Sequence, residues 1–106
     1  MITNILNTNN ESKINGTSFH DHYLKTTLNK LKKVFGKYYH GNDKTSAEFF
    51  LELEDGTVFT IYDYKEYGHT PYKYQNEEFD FHIGAHSKVQ AQRAYEAVTK
   101  LLEKGE

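Results

Sequence analysis

The stretch 47–65, AEFFLELEDGTVFTIYDYK, constrains the fold more than any other part of the chain. Two runs rich in aromatic and β-branched residues flank Asp55-Gly56, a pair suited to a tight turn, so the stretch is expected to form a β-hairpin. In the first run Ala47, Phe49, Leu51 and Leu53 alternate with Glu48, Phe50, Glu52 and Glu54, the period of a half-buried strand. The second run offers two sets for the core: Phe59 with Ile61, or Val58, Thr60, Tyr62 and Tyr64. The turn decides between them. A two-residue loop pairs Glu54 with Thr57 and sends Val58, Tyr62 and Tyr64 to the Leu51 face. A three-residue loop with a left-handed Gly56 pairs Leu53 with Thr57 and sends Phe59 and Ile61 there. Slipping by one residue turns over every side chain. The three-residue loop is the expectation, because it buries Phe59 and Ile61 and leaves Glu48, Phe50, Glu52, Thr60, Tyr62 and Tyr64 together on an open face.

Residues 1–15 are Asn-rich and polar and are expected to be a flexible tail, with an edge strand through Ile2, Ile5 and Leu6 as the alternative. Residues 16–106 are expected to form a single α+β domain. Within them, 17–25 can be a helix start capped by Ser18 or a strand, and its aromatic content favours the strand. Thr26 or Thr27 then starts a short helix with Leu28, Leu31, Val34 and Phe35 at helical spacing, and Gly36 ends it. The segment 66–78 holds the only Pro, Pro71, and has no clear period; a loop of that length is expected to cover the functional face. In 79–84 Phe79, Phe81 and Ile83 alternate with Asp80, His82 and Gly84, another strand. Ser87 caps a last helix that turns Val89, Ala94, Tyr95, Ala97, Val98, Leu101 and Leu102 inward and Gln90, Arg93, Glu96 and Lys100 outward. The order β-α-β-β-β-α predicts a two-layer α+β fold: a four-stranded antiparallel sheet with both helices on one face and the other face open.

Composition closes off several functions. The chain is 106 residues long and only 37% hydrophobic, yet nine Tyr and seven Phe give enough buriable area for one core. Without Cys it has no disulfide, thiolate-zinc site or thiol nucleophile. No apolar run approaches ~18 residues, and the N-terminus lacks the pattern of a secretory leader, so neither a membrane span nor a signal peptide is expected. The net charge of −2 lacks the basic excess that duplex nucleic acid demands, although Lys25, Lys30, Lys32, Lys33 and Lys37 cluster locally. His82 and His86, with Asp80, have the spacing of a helical metal pair, but the segment reads as a strand interrupted by Gly84. His20 and His22 lack a third ligand. Asp43, Asp80 and the histidines offer acid–base groups, but no nucleophile, phosphate-loop or zinc motif accompanies them; no catalysis, metal or cofactor is expected.

The open face is the candidate site. Glu48, Tyr62, Tyr64 and His82 combine flat stacking surface with hydrogen-bonding edges, which suits a nucleobase. Lys44 and Lys65 beside the strand ends, with His86 and Ser87 at the start of the last helix, are the groups placed to meet a phosphate.

A wider pattern runs through these residues. It comprises Gly16-Thr17-Ser18-Phe19, Tyr23-Leu24, Thr26-Thr27 leading to Leu31 and Phe35-Gly36, and Lys44 with Ala47-Glu48-Phe49. It continues through Asp55-Gly56-Thr57, Thr60-Ile61-Tyr62 with Tyr64-Lys65, and His82-Ile83-Gly84 with His86-Ser87. Over residues 16–98 it resembles a widespread group of small phage and prophage proteins. Where that group often carries Trp, this chain has Phe49, Tyr64 and Phe81; it departs from the group at His22 and Lys37. The resemblance implies a phage-type accessory protein of the host cytoplasm, of a kind that often inhibits host defence. With the stacking face, the leading expectation is sequestration of a nucleotide immune signal there, in a homodimer that shares the site; the alternative is inhibition of a host defence protein through the same face.

Overall fold

The computed structural model describes residues 5–7, 16–36, 38–39, 46–66 and 68–104. Among these residues, five antiparallel strands and two helices follow in the order β1 (Ile5–Asn7), β2 (Ser18–Thr27), α1 (Leu28–Phe35), β3 (Glu48–Leu53), β4 (Val58–Tyr62), β5 (Glu78–Ala85) and α2 (Lys88–Lys104). The strands lie side by side as β1-β3-β4-β5-β2. The expected α+β sequence of four strands and two helices is present. Ile5–Asn7 adds a fifth strand along β3, so this part of the expected N-terminal tail is instead the edge strand considered as its alternative.

The hairpin turn takes its three-residue form. Leu53 N–H donates to Thr57 O at 2.8 Å, Gly56 N–H donates to Leu53 O at 2.9 Å, and Gly56 has φ +91°, where a side chain would be strained. The Asp55 carboxylate accepts from Thr57 N and, across to α2, from Arg93 Nη1. These bonds hold the Asp55 carboxyl below its ordinary range, the Thr57 contacts contributing most and Arg93 less. Leu51 therefore stands opposite Phe59 and Phe49 opposite Ile61. All four are buried with Leu24, Phe79, Phe81 and Ile83 against Leu28, Leu31 and Phe35 of α1 and Ala91, Ala94 and Val98 of α2. Both helices thus share one core with one face of the sheet.

Each helix is capped as its sequence dictates. Thr27 Oγ1 accepts from Lys30 N, Gly36 at φ +83° closes α1 by donating to Lys32 O, and Ser87 Oγ accepts from Gln90 N at the start of α2. The expected inward stripe of α2 holds at Ala94, Ala97 and Val98, with Tyr95, Leu101 and Leu102 packed partly buried beside them, but not at Val89. Ala91, Ala94 and Val98 face the sheet at i, i+3 and i+7, which leaves Val89 about 200° away around the helix and 67% exposed.

In the segment 66–78, among its described residues, Gln75 and Asn76 fasten to α1. Gln75 O accepts the first-turn N–H of Asn29 at 3.0 Å, an orphan donor of the helix start. Lys32 Nζ donates to Gln75 Oε1, Asn29 Nδ2 donates to Asn76 Oδ1, and Pro71 is fully buried. The His69 ring stacks on Tyr74 and reaches Phe79, on the helix side.

One buried carboxylate fixes how β3 begins. Asp63, just past β4 and 1% exposed, accepts from Ser46 N (2.8 Å) and Ala47 N (2.9 Å) through Oδ1 and from Ser46 Oγ (3.0 Å) through Oδ2. Removing it leaves buried backbone donors unpaired. Asp63→Ala is expected to lower unfolding free energy by about 2–4 kcal/mol with the urea m-value unchanged, read from equilibrium denaturation.

Candidate functional site

The sheet face opposite α1 and α2 gathers a ring cluster around His82. β5 carries His82 between Tyr62 of β4 and Tyr23 of β2, its direct partners on either side. The His82 ring lies 4.5 Å from Phe19, 5.1 Å from Tyr23, and 5.4 Å from both Tyr62 and Tyr64, centroid to centroid. Tyr23 meets both Phe19 and His82 edge to face, a favoured geometry for aromatic pairs. At the rim Tyr23 is 51% and Tyr64 38% exposed. Beyond β4, Tyr39 stacks on Phe50 at 5.0 Å.

Two backbone devices aim these rings. Between Phe19 and Tyr23 the strand bulges: His20, Asp21 and His22 stand against Ile83 alone, and Asp21 takes φ +66°. The bulge is pinned from both sides. His20 Nε2 lies 3.2 Å from Ala85 O; His22 Nδ1 donates to His20 O, and Nε2 reaches Gln92 Oε1 of α2 at 2.6 Å. Phe19 and Tyr23 consequently point to the same side. The second device is Gly84. A Cβ there would stand 2.6 Å from Thr60 Oγ1 and 3.4 Å from Tyr62 Cε1, so the bare backbone is what lets these two side chains lie down over β5.

Burial dominates the electrostatics of the hub, with carboxylates and lysines both at its border. Burial lowers the His82 pKa, and Asp63 and Asp80 only partly offset it. Burial also raises the Tyr62 phenol, helped by Tyr64 and by Glu48, its partner across the β3–β4 ladder. Lys25 stands opposite Asp80, and Lys65, at φ +57°, holds Nζ 5.2 Å from the centroid of the Tyr64 ring.

Of the residues expected from sequence, the fold brings Glu48, Tyr62, Tyr64, Lys65 and His82 together. Lys44 lies outside the described residues, as does Asp43. His86 is four positions beyond His82 in an extended chain, about 13 Å along the strand; it neighbours Gly16. Ser87 spends its hydroxyl on Gln90 N. The two groups of phosphate ligands therefore sit at opposite ends of the sheet, Lys65 at one and His86 with Ser87 at the other. Phe19, Tyr23 and Lys25 join the cluster, and Asp63 underlies it; none of these was singled out for the site from sequence. The shared parity of Phe19 and Tyr23 was the available signal, but which strand flanks β5 was not written locally.

Among the described residues no three His, Asp or Glu side chains group as a metal site, and no helix is long and apolar enough to cross a membrane. Compared with known protein families, curated proteins and solved structures, the chain matches none of them.

Gly84→Ala is expected to cost about 1–3 kcal/mol by overpacking and to displace Thr60 and Tyr62, visible as shifted side-chain resonances on this face. The His82 shift has a sign that can be checked. Its folded pKa lies below the ordinary value of about 6.5, so the unfolded chain binds more protons as pH falls through that window. Its contribution is complete above about pH 6.5 and is lost as pH falls toward the lower folded value. Urea midpoints measured from about pH 7.5 to 5 should fall less steeply in His82→Gln than in wild type; parallel curves would contradict the assignment.

Proposed function

We propose that this chain is a non-catalytic, phage-type accessory protein that captures a host protein on the aromatic sheet face opposite α1 and α2 and so inhibits it. The observation that carries this reading is the ring cluster itself. Four aromatic side chains converge on one half-buried imidazole, and the outer two, Tyr23 and Tyr64, remain substantially open on a sheet surface. Tyrosines presented in this way are typical anchors of protein interfaces, offering rigid apolar area with a polar tip. The charges acting on the hub, from Glu48, Asp63 and Asp80, support a protein partner over an anionic nucleotide.

Nucleotide sequestration is the second reading, favoured by Lys25 and Lys65 beside Tyr23 and Tyr64. A base stacked on these rings would have a cation within reach of its phosphate.

Tyr64→Ala separates the two. At this partly exposed site the truncation is expected to change stability by less than about 1 kcal/mol. Immobilised wild type should retain a discrete protein from host lysate that Tyr64→Ala releases, and its melting temperature should not move with linear or cyclic nucleotides. Nucleotide-dependent melting that Tyr64→Ala abolishes would select the second reading. Equal retention by both proteins would reject this face.

A further inference from the structure

We infer that the element recognised on this face is an arginine side chain of the partner, its guanidinium stacked on the exposed Tyr23 and Tyr64 rings and its N–H fork met by the Asp80 carboxylate. This rests on the proposed use of the face as a binding surface and adds the chemistry of what it binds.

Strand pairing lays the groups out in two adjacent rows. Tyr62, His82 and Tyr23 form one, side by side on β4, β5 and β2. Two residues further along lie Asp80 with its direct partner Lys25, and Tyr64 where the chain leaves β4. Asp80, exposed, thus has aromatic rings diagonally behind it and Tyr64 to one side. Tyr23 and Tyr64 both hold edge-to-face or tilted contacts with their neighbours, which fixes ring orientation before anything binds.

The site already holds a cation against one of these rings: Lys65 Nζ lies 5.2 Å from the Tyr64 centroid. Arginine fits the remaining surface better than lysine. Its planar, weakly hydrated guanidinium stacks on a ring while its fork takes a carboxylate in two bonds. The hub does not oppose it. Burial lowers the His82 pKa and so disfavours a competing positive charge on the imidazole, and the exposed Asp80 carboxylate stands beside the rings. Lys25 is the cross-strand partner of Asp80, so opposite charges on the two are expected to tune the site in opposite directions.

That opposition provides the test. Three probes are titrated into the full chain by two-dimensional NMR: the peptide N-acetyl-Gly-Arg-Gly-amide, its citrulline counterpart, and AMP. The arginine peptide should shift Tyr23, Tyr64 and His82, and the neutral citrulline peptide should bind at least about fivefold more weakly. Asp80→Asn should weaken the arginine peptide about fivefold, and Lys25→Ala should tighten it. Both residues are exposed, so matched melting curves will show the fold intact. AMP shifting the same rings, weakened by Lys25→Ala and tightened by Asp80→Asn, would overturn the arginine inference while keeping the face as a binding surface. Citrulline binding as well as arginine would also overturn it. Failure of every probe to move these rings, together with equal lysate retention by wild type and Tyr64→Ala, would reject the surface itself.

Discussion

The whole arrangement depends on three residues between two strands. Because side chains alternate along a strand, the length of the 54–56 connection decides which half of β4 is sealed under the helices. The pairing of Leu53 with Thr57, with Gly56 left-handed, commits Phe59 and Ile61 to the helix-side core and turns Thr60 and Tyr62 to the other face, where Thr60, expected to be open, is buried and Tyr62 is half-buried. Asp55 reinforces the choice twice, by bonding Thr57 within the turn and by receiving Arg93 from α2. A two-residue turn would have buried three hydroxyl-bearing side chains and exposed the apolar pair, so packing and turn chemistry agree on the same register.

Given that register, the open face still has to be made into a site. A row of tyrosines on a sheet is ordinary; a convergent cluster requires approach. Gly84 supplies it by leaving the space into which Thr60 and Tyr62 settle, and the bulge at 20–22 supplies it from the other flank by keeping Phe19 and Tyr23 on the same side. The rings then shield one another. Each edge-to-face pair contributes about 0.5–1.5 kcal/mol beyond area burial, which offsets part of the cost of leaving aromatic surface in water. Asp63 links this face to the fold. Its three hydrogen bonds set the entry of β3, and its charge is felt at His82. Losing it would disturb both the scaffold and the field at the site.

The readable parts of the sequence were those written in local pattern. Alternation in 48–53, the Asp55-Gly56 turn, Thr27 and Ser87 as caps and Gly36 as a stop all appear where their neighbours require them. So do the rings of Tyr62, Tyr64 and His82, because parity places them. What could not be read depends on distant partners. Tyr23 enters the cluster only because β2 closes the sheet beside β5, some sixty residues later in the chain. Asp63 is an unremarkable polar residue in IYDYK until Ser46 and Ala47 are folded against it. The loop 66–78 had no period to follow, and Gln75 within it is held by an orphan donor at the start of α1. Val89 was misplaced because an apolar residue in the first turn was assigned to the core without fixing the helix phase; the alanines carry that phase.

The character of His82 bears on what kind of protein this is. A general acid or base must sit within hydrogen-bond reach of the proton it moves, with a partner that orients it. Here the described contacts of the imidazole are ring faces and edges, and the nearest charges act at a distance. The carboxylate best placed to orient it, Asp63, is occupied by Ser46 and Ala47. Burial lowers its pKa and so disfavours the charged form of a flat, polarisable plate at the centre of a tyrosine surface. A charged imidazole there would repel a cation approaching the rings, whereas a neutral one adds stacking area and leaves the field to the surrounding carboxylates. The sheet register that put the imidazole between two tyrosines thus makes it part of one continuous ring surface, and burial biases that surface toward an uncharged centre.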